Sequence, residues 1–431
     1  MAASPPPPSS NRKAVVAWML YDFANSAFVA VIPATVYSKY YALAVVGNER
    51  GKGDFWWGLS VTTAMLLVAL GSPPLGAIAD YAGVRKRSLG ALTYVSVAAT
   101  ALMATVGRGH VVWGFVLAVV GTVGFEAGIV CYNAYLPDLA TADWRGRLSG
   151  YGFALGYAGS AVALGAALPF ALQRNVAGAF LVAAGLFGLF AVPAMLFLPH
   201  DPPATHTVAD ATRVGFAQAL VTFRQILGMP ELRGFLLAYL FFEDGINTVV
   251  YFSSIFAGHT LGFTDPEVIG LYFVVQFSAL AGALLWARPT DTRGPKLVVM
   301  CTLVQWCAVV TGAYFVQTKT QFLVVAILAG SGLGAVQAAA RAFMASLIPR
   351  GQEAAMFGFY SLCGKTAAVT GPIIFGVVSL ATGGNQRAAI LAVGVMFVVG
   401  LALLSRVRAG GPAGSPAPPG LLPSRPSREA S

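Results

Sequence analysis

Apolar residues run through this chain in long blocks separated by short polar segments, with no strand-like alternation. A bilayer core about 30 Å thick takes roughly 20 apolar residues of helix, so blocks of this kind predict membrane spans. They fall near 14–43, 57–79, 89–107, 111–136, 148–170 and 178–198, then near 232–257, 268–287, 297–316, 322–345, 355–380 and 388–405. The prediction is an all-α membrane protein: twelve transmembrane helices in two pseudo-symmetric six-helix halves, 14–198 and 232–405. The polar stretch 199–231 opens with His200-Asp201-Pro202-Pro203 and runs from Arg213 to Gly228 with mixed polarity. It reads as a cytoplasmic linker carrying a short amphipathic helix in the membrane interface. The ends, 1–13 with Pro5 to Pro8 and 406–431 rich in Pro, Gly and Ser, read as disordered cytoplasmic tails. The first apolar block follows Arg12-Lys13 and holds Asp22, Asn25 and Pro33, too long and too polar for the core of a cleavable signal peptide.

Composition turns that pattern into an exclusion. Of 431 residues, 57% are hydrophobic and 10% charged, against about 25% charged in soluble domains; the mean hydropathy is +0.72. A conventional soluble enzyme is excluded. The net charge of +10 is the loop bias that orients membrane helices, and no basic run interleaved with aromatics suggests nucleic acid. With both termini in the cytoplasm, eighteen Lys and Arg fall in cytoplasmic segments and seven in the opposite loops. That split supports the inward termini.

The halves repeat. Asp80-x-x-Gly83-x-Arg85 and Asp291-x-x-Gly294-x-Lys296 lie 211 residues apart, and Leu136-Pro137 and Ile348-Pro349 lie 212 apart. Asp22-x-x-Asn25-Ser26 echoes Asp244-x-x-Asn247-Thr248 at 222, and Tyr151-Gly152-Phe153 matches Phe357-Gly358-Phe359 at 206. Four matches in one order indicate a duplication, and paired six-helix halves are a transporter architecture with the substrate site between them.

Ionisable groups at mid-membrane cost roughly 2.5–3.5 kcal/mol or more and mark function by default. Asp22, Glu126, Glu243, Asp244, Arg341 and Lys365 qualify, five of them on helices 1, 4, 7 and 10, the openers of the three-helix units. Asp22, Asn25, Glu126, Asn133, Asp244, Asn247, Gln337 and Arg341 are therefore the candidate substrate-binding residues around a mid-membrane cavity. Structural hydrogen bonding between helices is the alternative for Asn25, Asn247 and Arg341, snorkelling to the interface a further one for Arg341. One of Glu243 and Asp244 is expected to face elsewhere, because helix neighbours point about 100° apart. Four carboxylates against two cations leave a deficit that protons or a cation must fill. Proton coupling through Asp244, Glu126 and Lys365 is the expectation, with sodium coupling or none as alternatives. Asp80, Gly83, Arg85, Asp291 and Gly294 are candidate gating residues: glycine permits the tight turn, and the aspartate can accept from a neighbouring helix N-terminus or a basic side chain. Fixing topology is the structural alternative.

No enzyme chemistry stands out. His110, His200, His206 and His259 are scattered, and neither a nucleophile elbow nor a phosphate loop occurs. Cys131, Cys301, Cys307 and Cys363 lie in apolar runs without metal or disulfide spacing. No cofactor or metal is expected, and Gly330-Ser-Gly332-Leu-Gly334 reads as close helix packing.

Gly76-Ala-Ile-Ala-Asp80-Tyr-Ala-Gly83-Val-Arg85-Lys86-Arg87 resembles the loop 2–3 signature of the major facilitator superfamily. Within it, four stretches resemble the autophagy-type vacuole effluxer family, which has many bacterial members. They are Trp18-Met-Leu-Tyr21-Asp22-Phe-Ala-Asn25-Ser26-Ala-Phe28, Tyr132-Asn133-Ala-Tyr-Leu136-Pro137, Arg145-Gly-Arg147-Leu-Ser149-Gly150-Tyr-Gly152-Phe-Ala-Leu-Gly156-Tyr157, and the run from Gln337 and Arg341 through Pro349, Phe357-Gly358-Phe-Tyr360 and Gly364-Lys365 to Gly371-Pro372. The resemblance implies twelve helices, alternating access and, as in the fungal vacuolar members, movement of amino acids such as leucine, isoleucine and tyrosine. The expectation is a monomeric secondary transporter of a small solute, neutral amino acids first, surrounded by lipid. Its membrane would be the inner membrane of a bacterium, or the vacuolar membrane in a eukaryote. A non-transporting sensor or scaffold on the same fold, or an exporter of drug-like cations, is the alternative.

Overall fold

The computed structural model describes residues 12–47, 52–173, 175–201, 208–367, 370–383 and 385–408. The first half holds α1 (Arg12–Val31), α2 (Val36–Tyr40, continued by a π-helical turn to Val46), α3 (Lys52–Tyr81), α4 (Arg85–Leu102), α5 (Val111–Asn133), the short α6 (Leu136–Leu139), α7 (Arg145–Leu172) and α8 (Val176–Phe197). After α9 (Val208–Gly228), the second half holds α10 (Pro230–Ile255), α11 (Asp265–Thr292), α12 (Pro295–Phe315), α13 (Lys319–Leu347), α14 (Glu353–Thr366), α15 (Thr370–Ala381) and α16 (Gln386–Arg406). The ends expected as tails lie mostly outside the described residues; at their inner edges Arg12 and Lys13 already belong to α1, and Arg406 to α16.

Ten stretches among the described residues are long and apolar enough to cross a membrane. The other two expected spans differ for physical reasons. Helix α10 carries Glu231, Arg233, Glu243 and Asp244, and the eleventh span is split into α14 and α15. The first span is also interrupted, at Pro33, which has no N–H to continue the ladder; Thr35 there donates its hydroxyl to the Ala30 carbonyl at 2.6 Å.

Within the first half α1 packs on α7 and α8, and α5 on α3 and α4; within the second α13 packs on α11 and α12, and α16 on α10 and α12. The halves meet where α3 crosses α14 and α7 crosses α11 and α13. Small residues permit this approach. A β-carbon on Gly76 would lie 2.1 Å from the Ala354 carbonyl oxygen, one on Gly358 2.5 Å from that of Ser72, and one on Gly150 2.8 Å from that of Ala283. Backbone against backbone is the membrane solution, because lipid supplies no hydrophobic drive between helices. The Gly330–Gly334 stretch serves the same purpose inside the second half, where a β-carbon on Gly334 would lie 1.9 Å from the Ala279 carbonyl oxygen.

The linker helix α9 lies on the seam. Ala219, Thr222 and Ile226 are buried; Gln218 donates its amide to the Tyr81 hydroxyl of α3, and Phe223 stacks on Phe359 of α14 at 6.0 Å between ring centres. Leu220, Phe223 and Leu227 form an exposed apolar stripe at i, i+3 and i+7, the pattern of an interfacial helix. At the head of α11 Thr264 and Glu267 form a capping box. The Glu267 carboxyl is held down at about 2 by the Lys319 ammonium, with bonds from Thr264 adding to it.

Candidate functional site

A buried polar contact joins the two halves. Arg341 of α13 is 3% exposed and Asp22 of α1 6%, so each needs a partner in the low-dielectric interior. Both terminal nitrogens of Arg341 donate to Asp22 Oδ2 at 3.1 Å. Its Nε donates to the Ser149 hydroxyl of α7 at 2.9 Å and its Nη2 to the Ser149 carbonyl at 2.9 Å. Aromatic rings surround the guanidinium: Phe153 at 4.0 Å, Trp18 at 4.7 Å and Tyr132 at 5.8 Å. Trp18 and Tyr132 are themselves stacked at 4.6 Å, with each side chain donating to the other's backbone carbonyl at 3.1 Å. Gly152 leaves room for the pair, since a β-carbon there would lie 2.5 Å from Asp22 Oδ2 and 3.0 Å from Arg341 Nη2. Arg341 is therefore an inter-half clamp and does not snorkel.

A second ion pair crosses the halves, Lys365 of α14 to Glu126 of α5 at 2.6 Å. On α10 the neighbouring acids diverge, as helix geometry requires. Glu243 receives the Gln337 amide at 3.0 and 3.1 Å. Asp244 turns to the break in the eleventh span and accepts from the Thr370 and Gly371 N–H groups at 3.1 and 2.9 Å. Asn247, one turn on, donates to the Ala367 carbonyl at 3.5 Å. A helix start leaves unpaired N–H groups and a helix end unpaired carbonyls, and in a membrane each must find a partner. Asp244 and Asn247 thus hold the two ends of the split helix. Among the eight candidate binding residues, Asp22 meets Arg341, Glu126 meets Lys365, Gln337 meets Glu243, and Asp244 and Asn247 meet the α14–α15 break. Asn25 Nδ2 and Asn133 Oδ1 are buried without a hydrogen-bond partner among the described residues. A cavity of about 630 Å³ lies at the far end of α2, lined by Tyr40, Lys52 and Arg108 among others, and none of the eight lines it.

The two Asp-Gly turns close one face of the protein by a common device. Gly83 and Gly294 have φ of +57° and +92°, open to glycine at little cost. Asp80 Oδ2 accepts from the Ala355 N–H in the first turn of α14 at 2.8 Å. Asp291 accepts from the Gly146 and Arg147 N–H groups at the start of α7 at 2.6 and 3.1 Å. Each aspartate thus sits on a helix N-terminus of the opposite half, where the backbone dipole favours a negative charge. The cations differ. Arg85 joins Asp80 at 2.9 Å, Asp138 at 2.8 Å and, across the halves, Glu353 at 3.2 Å. Asp291 instead draws its cation from the other half, Arg147 Nε at 2.7 Å. Lys296, in register with Arg85, turns to the end of α16 and donates to the Ser405 carbonyl at 3.0 Å.

Ser149, Phe153, Trp18, Glu353 and Arg147 belong to these contacts and carried no site role in the sequence reading. All but Glu353 lie within the Trp18 and Arg145–Tyr157 stretches. Glu353 had no such signal, because its partner Arg85 lies 268 residues away.

Residues 57–410 match the family model described as vacuole effluxer Atg22 like. An uncharacterized MFS-type transporter of Bacillus subtilis (strain 168), YxiO, is 28% identical over 409 residues, covering 90% of this chain and 94% of that protein. Autophagy-related protein 22 of Cryptococcus neoformans var. neoformans serotype D (strain JEC21) is 29% identical over 287 residues, covering 61% of this chain and 50% of that protein. The matched part spans about half the length of the fungal relative. Among solved structures, the proton:xylose symporter XylE of the major facilitator superfamily superposes with a TM-score of 0.72 at 15% identity, covering 93% of this chain and 96% of that one. At that identity the likeness speaks for the fold alone.

Proposed function

Because the chain belongs to the vacuole effluxer Atg22-like family and is a multi-pass MFS-type transporter, we propose that it moves neutral amino acids, with protons as the coupling ion. The Asp22–Arg341 pair carries this reading. An amino-acid zwitterion can enter between the two side chains and replace one ion pair by two, its ammonium on Asp22 and its carboxylate on the Arg341 fork. The substrate thereby takes over the contact that ties α1 to α13, which links its binding to the joining and parting of the halves. Asn25 and Asn133, each with an unpartnered amide atom, lie one turn from Asp22 and beside Tyr132 in sequence. They suit the remaining donors and acceptors of such a ligand. The Asp80 and Asp291 contacts are the gate on the cytoplasmic face, which is sealed while the pair is joined. The near full-length match to a bacterial protein supports a cell-membrane location.

Binding of leucine and of the amine with the same side chain but no carboxylate, to wild type and Arg341→Lys, tests the assignment. Lysine keeps the charge and gives up the fork. Leucine affinity is expected to fall about tenfold, equivalent to about 1.4 kcal/mol, while the amine changes little. An equal, small decrease for both ligands overturns the carboxylate role of Arg341.

A further inference from the structure

Glu243 has no part in the zwitterion site, yet it is 8% exposed on a helix with the clamp on one side and the broken span on the other. Its carboxyl oxygens face the amide of Gln337, a neutral partner able to serve either protonation state. The amide N–H donates to a carboxylate, and the amide carbonyl, after a half-turn of the group, accepts from a carboxylic acid O–H. The charged group of α14 within electrostatic reach is Lys365, whose ammonium is bonded at 2.6 Å to Glu126 of the other half. The tyrosines within reach are Tyr157 on α7, Tyr239 on α10 and Tyr360 on α14; the last two stack at 4.2 Å. The adjacent Asp244 is turned away to the Gly371 N–H. One ammonium, carried by the second half, is thus flanked by a carboxyl in each half.

We infer that Lys365 exchanges Glu126 for Glu243 as the halves separate, and that Glu243 carries the coupling proton whenever Lys365 is on Glu126. In the joined arrangement Glu243 holds its proton, donated to the Gln337 carbonyl once the amide has made that half-turn. When α5 moves away with the first half, the ammonium passes to Glu243, its O–H bond breaks and the proton leaves to water in the opened cleft. On return, with that cleft sealed again, Lys365 rejoins Glu126, and Glu243 takes up a proton from water on the opposite side of the membrane. One proton moves per cycle, with no other bond made or broken.

The inference rests on the transport reading but can be read without transport. Infrared spectra of purified wild type at neutral pH are expected to contain a protonated-carboxyl band that Glu243→Gln lacks. The band should also vanish in Glu126→Gln, where Lys365 has lost Glu126 and passes to Glu243, and return in the Glu126→Gln, Lys365→Met double variant. Thermal unfolding run alongside excludes misfolded samples. A band that survives Glu243→Gln, or that persists in Glu126→Gln, overturns the exchange. In proteoliposomes, leucine uptake by Glu243→Gln should lose its response to an imposed pH gradient. Failure of wild type to take up leucine counts against the substrate assignment, while the spectra still decide the proton site.

Discussion

Two segments that are copies in sequence do opposite work in the folded protein. Asp22-x-x-Asn25-Ser26 on α1 and Asp244-x-x-Asn247-Thr248 on α10 share even a local detail, since Ser26 and Thr248 each donate to the carbonyl of the aspartate one turn back at 2.7 Å. A glycine faces each: a β-carbon on Gly156 would lie 2.9 Å from Ser26 Oγ, and one on Gly371 2.0 Å from Thr248 Oγ1. Beyond that the copies part. The helix beside α1 is the continuous α7, which leaves Asp22 to reach Arg341 across the halves. The helix beside α10 is broken, and Asp244 is taken up by the N–H groups the break exposes. A duplicated acid became a contact between the halves in one copy and an internal brace in the other. What separated the roles is whether the neighbouring helix satisfies its own backbone.

That difference can be broken by removing one charge of each pair. Arg341→Met leaves Asp22 buried without its cation and should cost about 3–5 kcal/mol. Adding Asp22→Asn should restore most of that stability in thermal unfolding of the detergent-solubilised protein. Were the double variant no more stable than the single, the two side chains would not be acting as a pair.

The two Asp-Gly turns offer a second pair of copies. Three bonds from Asp291 cross the halves, whereas one from Asp80 does so. Asp291→Asn should therefore open the sealed face more readily than Asp80→Asn, by about 1.5–3 kcal/mol, the worth of a hydrogen bond to a charged group. Labelling rates of a cysteine placed behind the seam measure it, and equal rates would show the turns to be equivalent.

Glycine substitutions sharpen the comparison at closer range. Gly152→Ala and Gly371→Ala each push a β-carbon into an aspartate, at 2.5 Å from Asp22 and 2.8 Å from Asp244, and should each destabilise by about 1–3 kcal/mol. Only Gly152→Ala should also weaken leucine binding, because the proposed site sets the ligand against Asp22 and not against Asp244. The smallest effect belongs to Asp244→Asn, which keeps the shape of the brace and should cost about 0.5–2 kcal/mol, the range for removing a helix cap. A cost as large as that of Arg341→Met would mean that Asp244, too, answers a buried cation.

Much of the architecture was legible because it follows from local chemistry. Long apolar blocks must be spans, the Asp-Gly turns must be tight, and an acid inside an apolar block must have a partner. The positions of Asp22, Glu126, Arg341 and Lys365 were readable for that last reason. Their partners were not, because Asp22 and Arg341 are separated by 319 residues and nothing in either neighbourhood encodes the other. That Asp244 and Asn247 bond to the break between α14 and α15 rests on a feature with a weak sequence signal. Gly371-Pro372 was visible, but whether a proline bends, breaks or merely starts a helix depends on what its neighbours can bond.

The sequence by itself determined the solvent, the number of apolar blocks, their duplication and the cost attached to each buried charge, since those depend on residue type and spacing along the chain. Only the tertiary structure decided which charge cancels which. In the membrane interior an ion pair is set by which helices come within hydrogen-bond distance. That depends on where glycines let α3 meet α14 and α7 meet α11, and on where a broken helix claims an acid for its own backbone.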